Sequence, residues 1–130
     1  MVLDTSALLA LLLDEPDAER FRQAVDEDAT RLVSAATLLE TAIVIEARKG
    51  EAGGRELDLL VRTAEVEVVP VDADHVAEAR RAYRRFGRGQ HPAALNFGDV
   101  FAYALSRTSG EALLFKGGDF SQTDVARRLP

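Results

Sequence analysis

The chain has 130 residues, is 47% hydrophobic, contains no cysteine and carries a formal net charge of −6. That length suits a single domain, residues 1–130, with a core of its own. The composition excludes a disordered chain, a disulfide scaffold and any thiolate chemistry. The longest apolar run, residues 7–13, is too short to span a bilayer and has no basic region before it or small-residue cleavage site after it. The expectation is therefore a cytoplasmic protein without membrane association. A global acidic excess argues against generic nucleic-acid binding, which shows a basic footprint. It leaves room for an enzyme whose acidic site takes up divalent cations first.

In chain order, short β-prone apolar runs alternate with longer helical segments. Strands are predicted over residues 1–4, 31–34, 66–69 and 112–115, and helices over 6–13, 16–28, 35–49, 54–63, 73–86 and 96–109. Pro16 fits a first helical turn, Gly50 and Gly110 fit helix ends, and Pro70 ends a strand. Such alternation implies an α/β fold, a parallel sheet with helices on both faces. Sites in such sheets form at the carboxyl ends of the strands. The helix over 6–13 is apolar all round, so it is either buried on every side or meets another subunit, a hint of a homodimer.

Four acids stand beside or inside apolar stretches. Asp4 closes Met1-Val2-Leu3 and precedes Thr5-Ser6, where a helix cap is the plain reading. The alternative is a carboxylate aimed out of the sheet, with a neighbouring hydroxyl to hold a metal-bound water. Glu40 interrupts a run of apolar, Ala, Thr and Ser side chains with no Lys or Arg within four residues, so only a distant Arg could neutralise it. Asp99 also lacks a cation at helical spacing, and Asn96 with Asp99 places an amide and a carboxylate on one face near a helix N-terminus. Asp119 follows Lys116-Gly117-Gly118, where a turn aspartate is the simple reading. Ionised carboxylates are not left unpaired in apolar surroundings. Hard oxygen ligands without cysteine point to Mg²⁺ or Mn²⁺ rather than zinc, and to metal-assisted phosphodiester hydrolysis.

Other residues carry weaker signals. Arg80, Arg81, Arg84, Arg85 and Arg88 cluster at a helix end, where they either complement the helix dipole or contact RNA phosphates, with Arg84, Arg85 and Arg88 the candidate RNA contacts. His75 and His91 fit surface or loop roles better than general-base roles, and Lys116 resembles a catalytic cation at a strand end.

Asp4-Thr5-Ser6, Asp14-Glu15-Pro16-Asp17-Ala18, Glu40, Leu95-Asn96-Phe97-Gly98-Asp99 and Phe115-Lys116-Gly117-Gly118-Asp119-Phe120 together resemble the PIN-domain ribonucleases. More narrowly, the chain is similar to the VapC toxins of bacterial type II toxin–antitoxin pairs. The resemblance covers essentially the whole chain. It implies a three-layer α/β/α PIN-like fold with a central parallel sheet and a Mg²⁺-dependent endoribonuclease activity, with Asp4 and Asp99 as principal metal ligands. Glu40 would be the third acid and Asp119 the more variable fourth. It implies as partners an RNA substrate, a second copy of the chain and a VapB-like antitoxin whose tail lies on an apolar groove and pushes a cation into the acidic pocket. One departure is that many relatives carry a second acid or a Thr where this chain has Phe115 to Gly118. Asp119 could then bind a second ion, act through water or only shape the field. Competing readings are a catalytically silent PIN-like binding module, a nuclease acting on DNA ends, and a phospho-acceptor signalling domain. The last needs paired acids after its first strand and an acceptor Asp after a central one, which this chain lacks.

Overall fold

The computed structural model describes residues 1–130. Five strands form one parallel sheet: β1 (Val2–Leu3), β2 (Leu32–Ser34), β3 (Glu67–Val69), β4 (Leu113–Leu114) and β5 (Arg127–Arg128). Their order is β3-β2-β1-β4-β5. In β1, Val2 stands opposite both Leu32 and Leu113. Since all strands run the same way, their carboxyl ends emerge along one edge. The chain builds outward from β1 to β2 and β3, then returns to the other side of β1 with β4. That reversal makes the β1/β4 boundary a topological switch point, where a crevice opens at the strand ends.

The pleat divides the core in two. Val2, Leu32 and Leu113 face one side, where they pack with Ala82 and Phe86 of α5 (Ala73–Phe86) and Val100, Tyr103 and Leu105 of α6 (Asp99–Ser109). Leu3, Val33 and Leu114 face the other, against Leu8 and Leu11 of α1 (Thr5–Leu12) and Phe21 and Val25 of α2 (Ala18–Glu27). Strands buried on both faces read as continuous apolar runs, which is how β1, β2 and β4 look in sequence. The remaining helices, α3 (Ala35–Lys49) and α4 (Glu51–Thr63), pack on each other, and α3 runs from the end of β2 past α1. The layers are helix, sheet, helix, as the sequence pattern implies.

Several boundaries differ from expectation for local reasons. The amide of Ala18 donates to Glu15 O at 2.8 Å, so Pro16 lies in a turn and α2 starts two residues beyond it. The helix predicted over 54–63 begins at Glu51, because Gly50 alone, with φ 65°, closes α3 and reverses the chain. Gly53 and Gly54 are therefore contact points rather than breakers. A Cβ on Gly53 would stand 2.8 Å from Ile45 O, so its absence lets α4 approach the α3 backbone. The helix predicted over 96–109 starts at Asp99. β5 was not expected: Arg127-Arg128 has no apolar signature. Its Arg127 guanidinium lies over the Phe115 ring, 5.2 Å from its centroid, in a cation–π contact, and Arg128 pairs with Glu27 at 3.3 Å.

The all-apolar α1 is mostly covered by its own chain, with Ala7, Leu8, Ala10 and Leu11 buried and Leu9 and Leu12 half-buried. The surface that lacks a cover is elsewhere, on α3, where Leu39 and Ile43 are 62% and 60% exposed one turn apart. Replacing the fully buried Leu8 by Ala should cost about 3 kcal/mol of stability through lost burial and a residual cavity. Leu39→Ala should change it by no more than about 0.5 kcal/mol in the isolated chain. Urea unfolding of the two variants checks the contrast.

Candidate metal centre

Asp4 follows β1 directly and caps α1. Its Oδ2 accepts from the Ser6 amide at 2.9 Å and from Ser6 Oγ at 2.6 Å. Cap and functional carboxylate are thus not alternatives here, because the cap occupies one oxygen and leaves Oδ1 without a hydrogen bond. The side chain is nearly buried, at 5% exposure, yet Oδ1 is not among the enclosed unpartnered atoms, which are Thr37 Oγ1 and His75 Nδ1. Its free oxygen therefore opens toward the surface at the strand end. Burial pushes the Asp4 carboxyl above its ordinary value, the Ser6 bonds oppose that, and the Glu40 charge adds to it.

Glu40 projects from the second turn of α3, which the Ser34 hydroxyl caps through the Ala36 amide at 3.3 Å. No arginine reaches it. Thr5 donates its hydroxyl to Glu40 Oε1 at 2.5 Å, and Thr41 Oγ1 stands 3.3 Å from the same Thr5 oxygen while donating to Thr37 O at 2.9 Å. The other carboxylate oxygen lies against the backbone of Gly98, where a Cβ would fall 1.8 Å from Oε2. Any side chain at position 98 would displace Glu40. The glycine is what lets the α6 approach and the α3 carboxylate occupy one place.

Asp99 is the first residue of α6 and is held in a reciprocal capping arrangement. The Asn96 amide donates to Asp99 Oδ2 at 2.9 Å, and the Asp99 amide donates to Asn96 Oδ1 at 2.9 Å. Asn96 lies before the helix, so the pair shares a cap and not a helical face. As in Asp4, one oxygen is spent and the other is left. Partial burial, followed by the charges of Asp4, Asp119 and Glu40, drives the Asp99 carboxyl up to about 6 against the pull of the Asn96 amide. Asp119 is exposed, precedes the 3₁₀ turn Phe120–Gln122, and caps nothing with its side chain.

The four acids thus come from β1, α3, α6 and the loop after β4 to one edge of the sheet, close enough for three of them to raise the fourth. No Lys, Arg or His nitrogen lies within 4.0 Å of any of them. The cations pair instead with other acids, such as Arg22 with Asp14, Lys49 with Glu56, Arg81 with Glu78 and Arg85 with Asp124. No three acidic side chains are already gathered around a single point at ligand distance. Free hard oxygens with no protein cation nearby suit a divalent ion such as Mg²⁺ or Mn²⁺.

The sequence profile of the PIN domain matches residues 1–126. The chain belongs to the PIN-domain family. Among curated relatives it is 60% identical to "Ribonuclease VapC30" of Mycobacterium tuberculosis over 97% of this chain and 96% of that one. It is also 60% identical to "Ribonuclease VapC" of Mycolicibacterium smegmatis, over 97% and 98% of the two chains. Among solved structures it superposes on M. tuberculosis VapC20, described as a sarcin–ricin loop cleaving toxin, with a TM-score of 0.81 at 20% identity, covering 99% and 98% of the chains. It likewise resembles the VapBC2 complex of Rickettsia felis, solved bound to a DNA fragment from its promoter, with a TM-score of 0.75 at 13% identity, covering 97% and 94%.

Other expected site residues of this PIN domain occupy different places. The arginine cluster is split. Arg85 pairs with Asp124 at 2.9 Å and lies 4.7 Å over the Phe86 ring, while Arg84 and Arg80 border an apolar groove of about 700 Å³ between α5 and α6, with Tyr83 and Phe97. Arg88 is exposed. Lys116 does not point at the acids, since its ammonium is held by Glu15 and by Asp17 at 2.9 Å. His75 is buried beside the Thr108 hydroxyl at 3.2 Å, and His91 accepts the Ala93 amide at 3.0 Å, so both are structural. The hydroxyls beside Asp4 are not free to hold a water as the sequence suggested, because Thr5 is committed to Glu40 and Ser6 to Asp4.

Metal-free stability should report the strained charge. Asp99 holds its proton to about 6 in the fold and to its ordinary 3.8 when unfolded. The native state therefore binds more protons between those values, and stability falls as pH rises through that window and stays lowered above it. In chelator, Asp99→Asn should be more stable than wild type at about pH 7.5 and no more stable below about pH 3.8. Thermal unfolding across pH measures this, and a difference independent of pH would contradict the shift.

Proposed function

We propose that this PIN domain, acting as one unit over residues 1–130, is a divalent-metal-dependent endoribonuclease and the VapC-type toxin of a type II toxin–antitoxin pair. The observation that carries the reading is the set of four convergent carboxylates with no cation within 4.0 Å, in a chain 60% identical over nearly its whole length to proteins named as VapC ribonucleases. Neither the silent module nor the signalling domain has comparable support, since relatives of this similarity are named for an activity and no acceptor geometry exists at Asp4.

In this reading Asp4 and Asp99 would hold Mg²⁺ or Mn²⁺ through their unspent oxygens, with Glu40 and Asp119 completing the site through water or at a second ion. When bound, the ion supplies a nucleophilic water at neutral pH and offsets charge on the phosphodiester oxygens. The chain's own residues do the positioning. Ser6 and the Asn96 cap fix the carboxylates of Asp4 and Asp99, so their free oxygens do not have to be ordered when substrate arrives. Thr5 and Gly98 hold Glu40 against α6. Asp119, exposed and without a side-chain hydrogen bond, would act through water, at a second ion or by shaping the field. Arg84 and Arg88, exposed along the outside of the groove and beyond it, are the candidate RNA phosphate contacts, with Arg85 held back by Asp124. Support for a VapB-like antitoxin comes from VapBC complexes among the structural neighbours. A second copy of the chain would cover Leu39 and Ile43.

Purified protein should cleave RNA with Mg²⁺ or Mn²⁺ and not with chelator. Asp99→Asn and Asp4→Asn should each lower the rate by at least about 10³-fold while the variants remain folded. Cleavage by Asp99→Asn at the wild-type rate would refute the site. Leu39→Glu with Ile43→Glu should shift the chain toward monomer in light scattering without altering its circular dichroism.

A further inference from the structure

Lys116 opens the loop that carries Asp119, and it ties that loop to the start of the chain in two directions. Its backbone amide donates to Ser6 Oγ at 2.9 Å, and the proton of that hydroxyl goes to Asp4 Oδ2 at 2.6 Å. Its side chain reaches the other way, to Glu15 and to Asp17 Oδ1 at 2.9 Å, in the turn between α1 and α2. That turn is itself fastened, because Arg22 of α2 grips Asp14 at 2.7 Å. Directly after Lys116 come Gly117, with φ 99°, and Gly118, whose missing side chains give the loop no grip before the buried Phe120. The lysine therefore adds a side-chain tie at the base of a glycine-containing loop whose entry is set by β4, where the Asp4 amide donates to Leu114 O at 3.1 Å.

We propose that Lys116 is a positioning residue for the acid pocket: its clasp on Glu15 and Asp17 fixes the loop so that its amide holds the Ser6 hydroxyl, and through it the carboxylate of Asp4. The Ser6 hydroxyl accepts from the amide and donates to the carboxylate, and such a chain strengthens each bond in it. Without the amide, the Ser6 hydroxyl keeps only its bond to Asp4, and the carboxylate is fixed from one side, by the Ser6 backbone amide at 2.9 Å, rather than from both. The lysine charge itself is spent, since two carboxylates neutralise it, so it does not act on substrate. A single exposed ion pair is worth little. One ammonium shared by two acids, joining segments 101 and 99 residues apart, matters through what it locates rather than through its own stability.

The inference rests on the reading of this pocket as a divalent-ion site that cuts RNA. Three variants test it, Lys116→Met, the double variant Glu15→Gln with Asp17→Asn, and Lys116→Arg, with Mn²⁺ binding by calorimetry measured alongside kcat and KM on RNA. Lys116→Met and the double variant should weaken Mn²⁺ binding by the same factor, about tenfold, as expected when an outer-shell contact is lost. Both should lower kcat with KM held within about twofold. Lys116→Arg, which can span both acids, should return both quantities toward wild type. If Lys116→Met loses activity while the double variant keeps it, the lysine acts on RNA directly and the clasp is wrong. If neither variant changes Mn²⁺ binding or kcat while wild type binds and cleaves, this inference alone falls. A wild-type chain that binds no Mn²⁺ overturns the metal-pocket reading and this inference with it.

Discussion

The organising constraint of this molecule is negative charge that the chain declines to neutralise. Asp4, Glu40, Asp99 and Asp119 gather at one edge of the sheet with no arginine or lysine nitrogen within 4.0 Å, while Arg22, Arg85 and Lys116 pair with other acids. Folding must hold like charges near one another in surroundings that raise the carboxyls of Asp4 and Asp99. Such an arrangement costs stability in the absence of a counter-ion, and perturbed acids gathered in this way are a pattern of functional sites. The rest of the structure can be understood as what makes that cost tolerable: a core on both faces of the sheet, and a separate anchor for each acid.

Those anchors share one design. Asp4, Glu40 and Asp99 each give one oxygen to a protein donor, respectively Ser6, Thr5 and the Asn96 amide. The second oxygens of Asp4 and Asp99 accept no protein hydrogen bond, while that of Glu40 packs against Gly98. The sheet topology explains why this is possible at all. Parallel strands put their carboxyl ends on one edge, and the switch between β1 and β4 opens that edge where Asp4 stands. Helix starts then deliver Asp99 and the α1 cap to the same place, with positive dipole ends that partly offset the acids.

Much of this was legible in the chain itself. The alternation of β-prone and helical runs, and the breakers Gly50 and Pro70, lead to the observed layers, and Glu40 and Asp99 stand out because each lacks a cation at local spacing. The illegible parts are those set by tertiary approach. Gly98 falls inside the helix predicted over 96–109 and shows no packing role until Glu40 Oε2 is seen against it. The sequence pattern places the helix start at Gly54 rather than Glu51 because the contacts of Gly53 with the Ile45 carbonyl and of Gly54 with the Glu46 side chain exist only in the folded α3–α4 pair. β5 has two arginines and no apolar residue, so its pairing with β4 follows from register with Leu113 and Leu114 rather than from its own composition. The apolar α1 suggested a second subunit, but a sequence cannot say whether a helix without a polar face is covered from within, as this one mostly is.

The most direct trial of the central claim is where a metal ion goes. Crystals grown with Mn²⁺ and measured at its absorption edge should show an anomalous peak about 2.1 Å from oxygens of both Asp4 and Asp99. A structure in which Mn²⁺ settles elsewhere, with an arginine or lysine turned in to neutralise Asp99, would contradict the account.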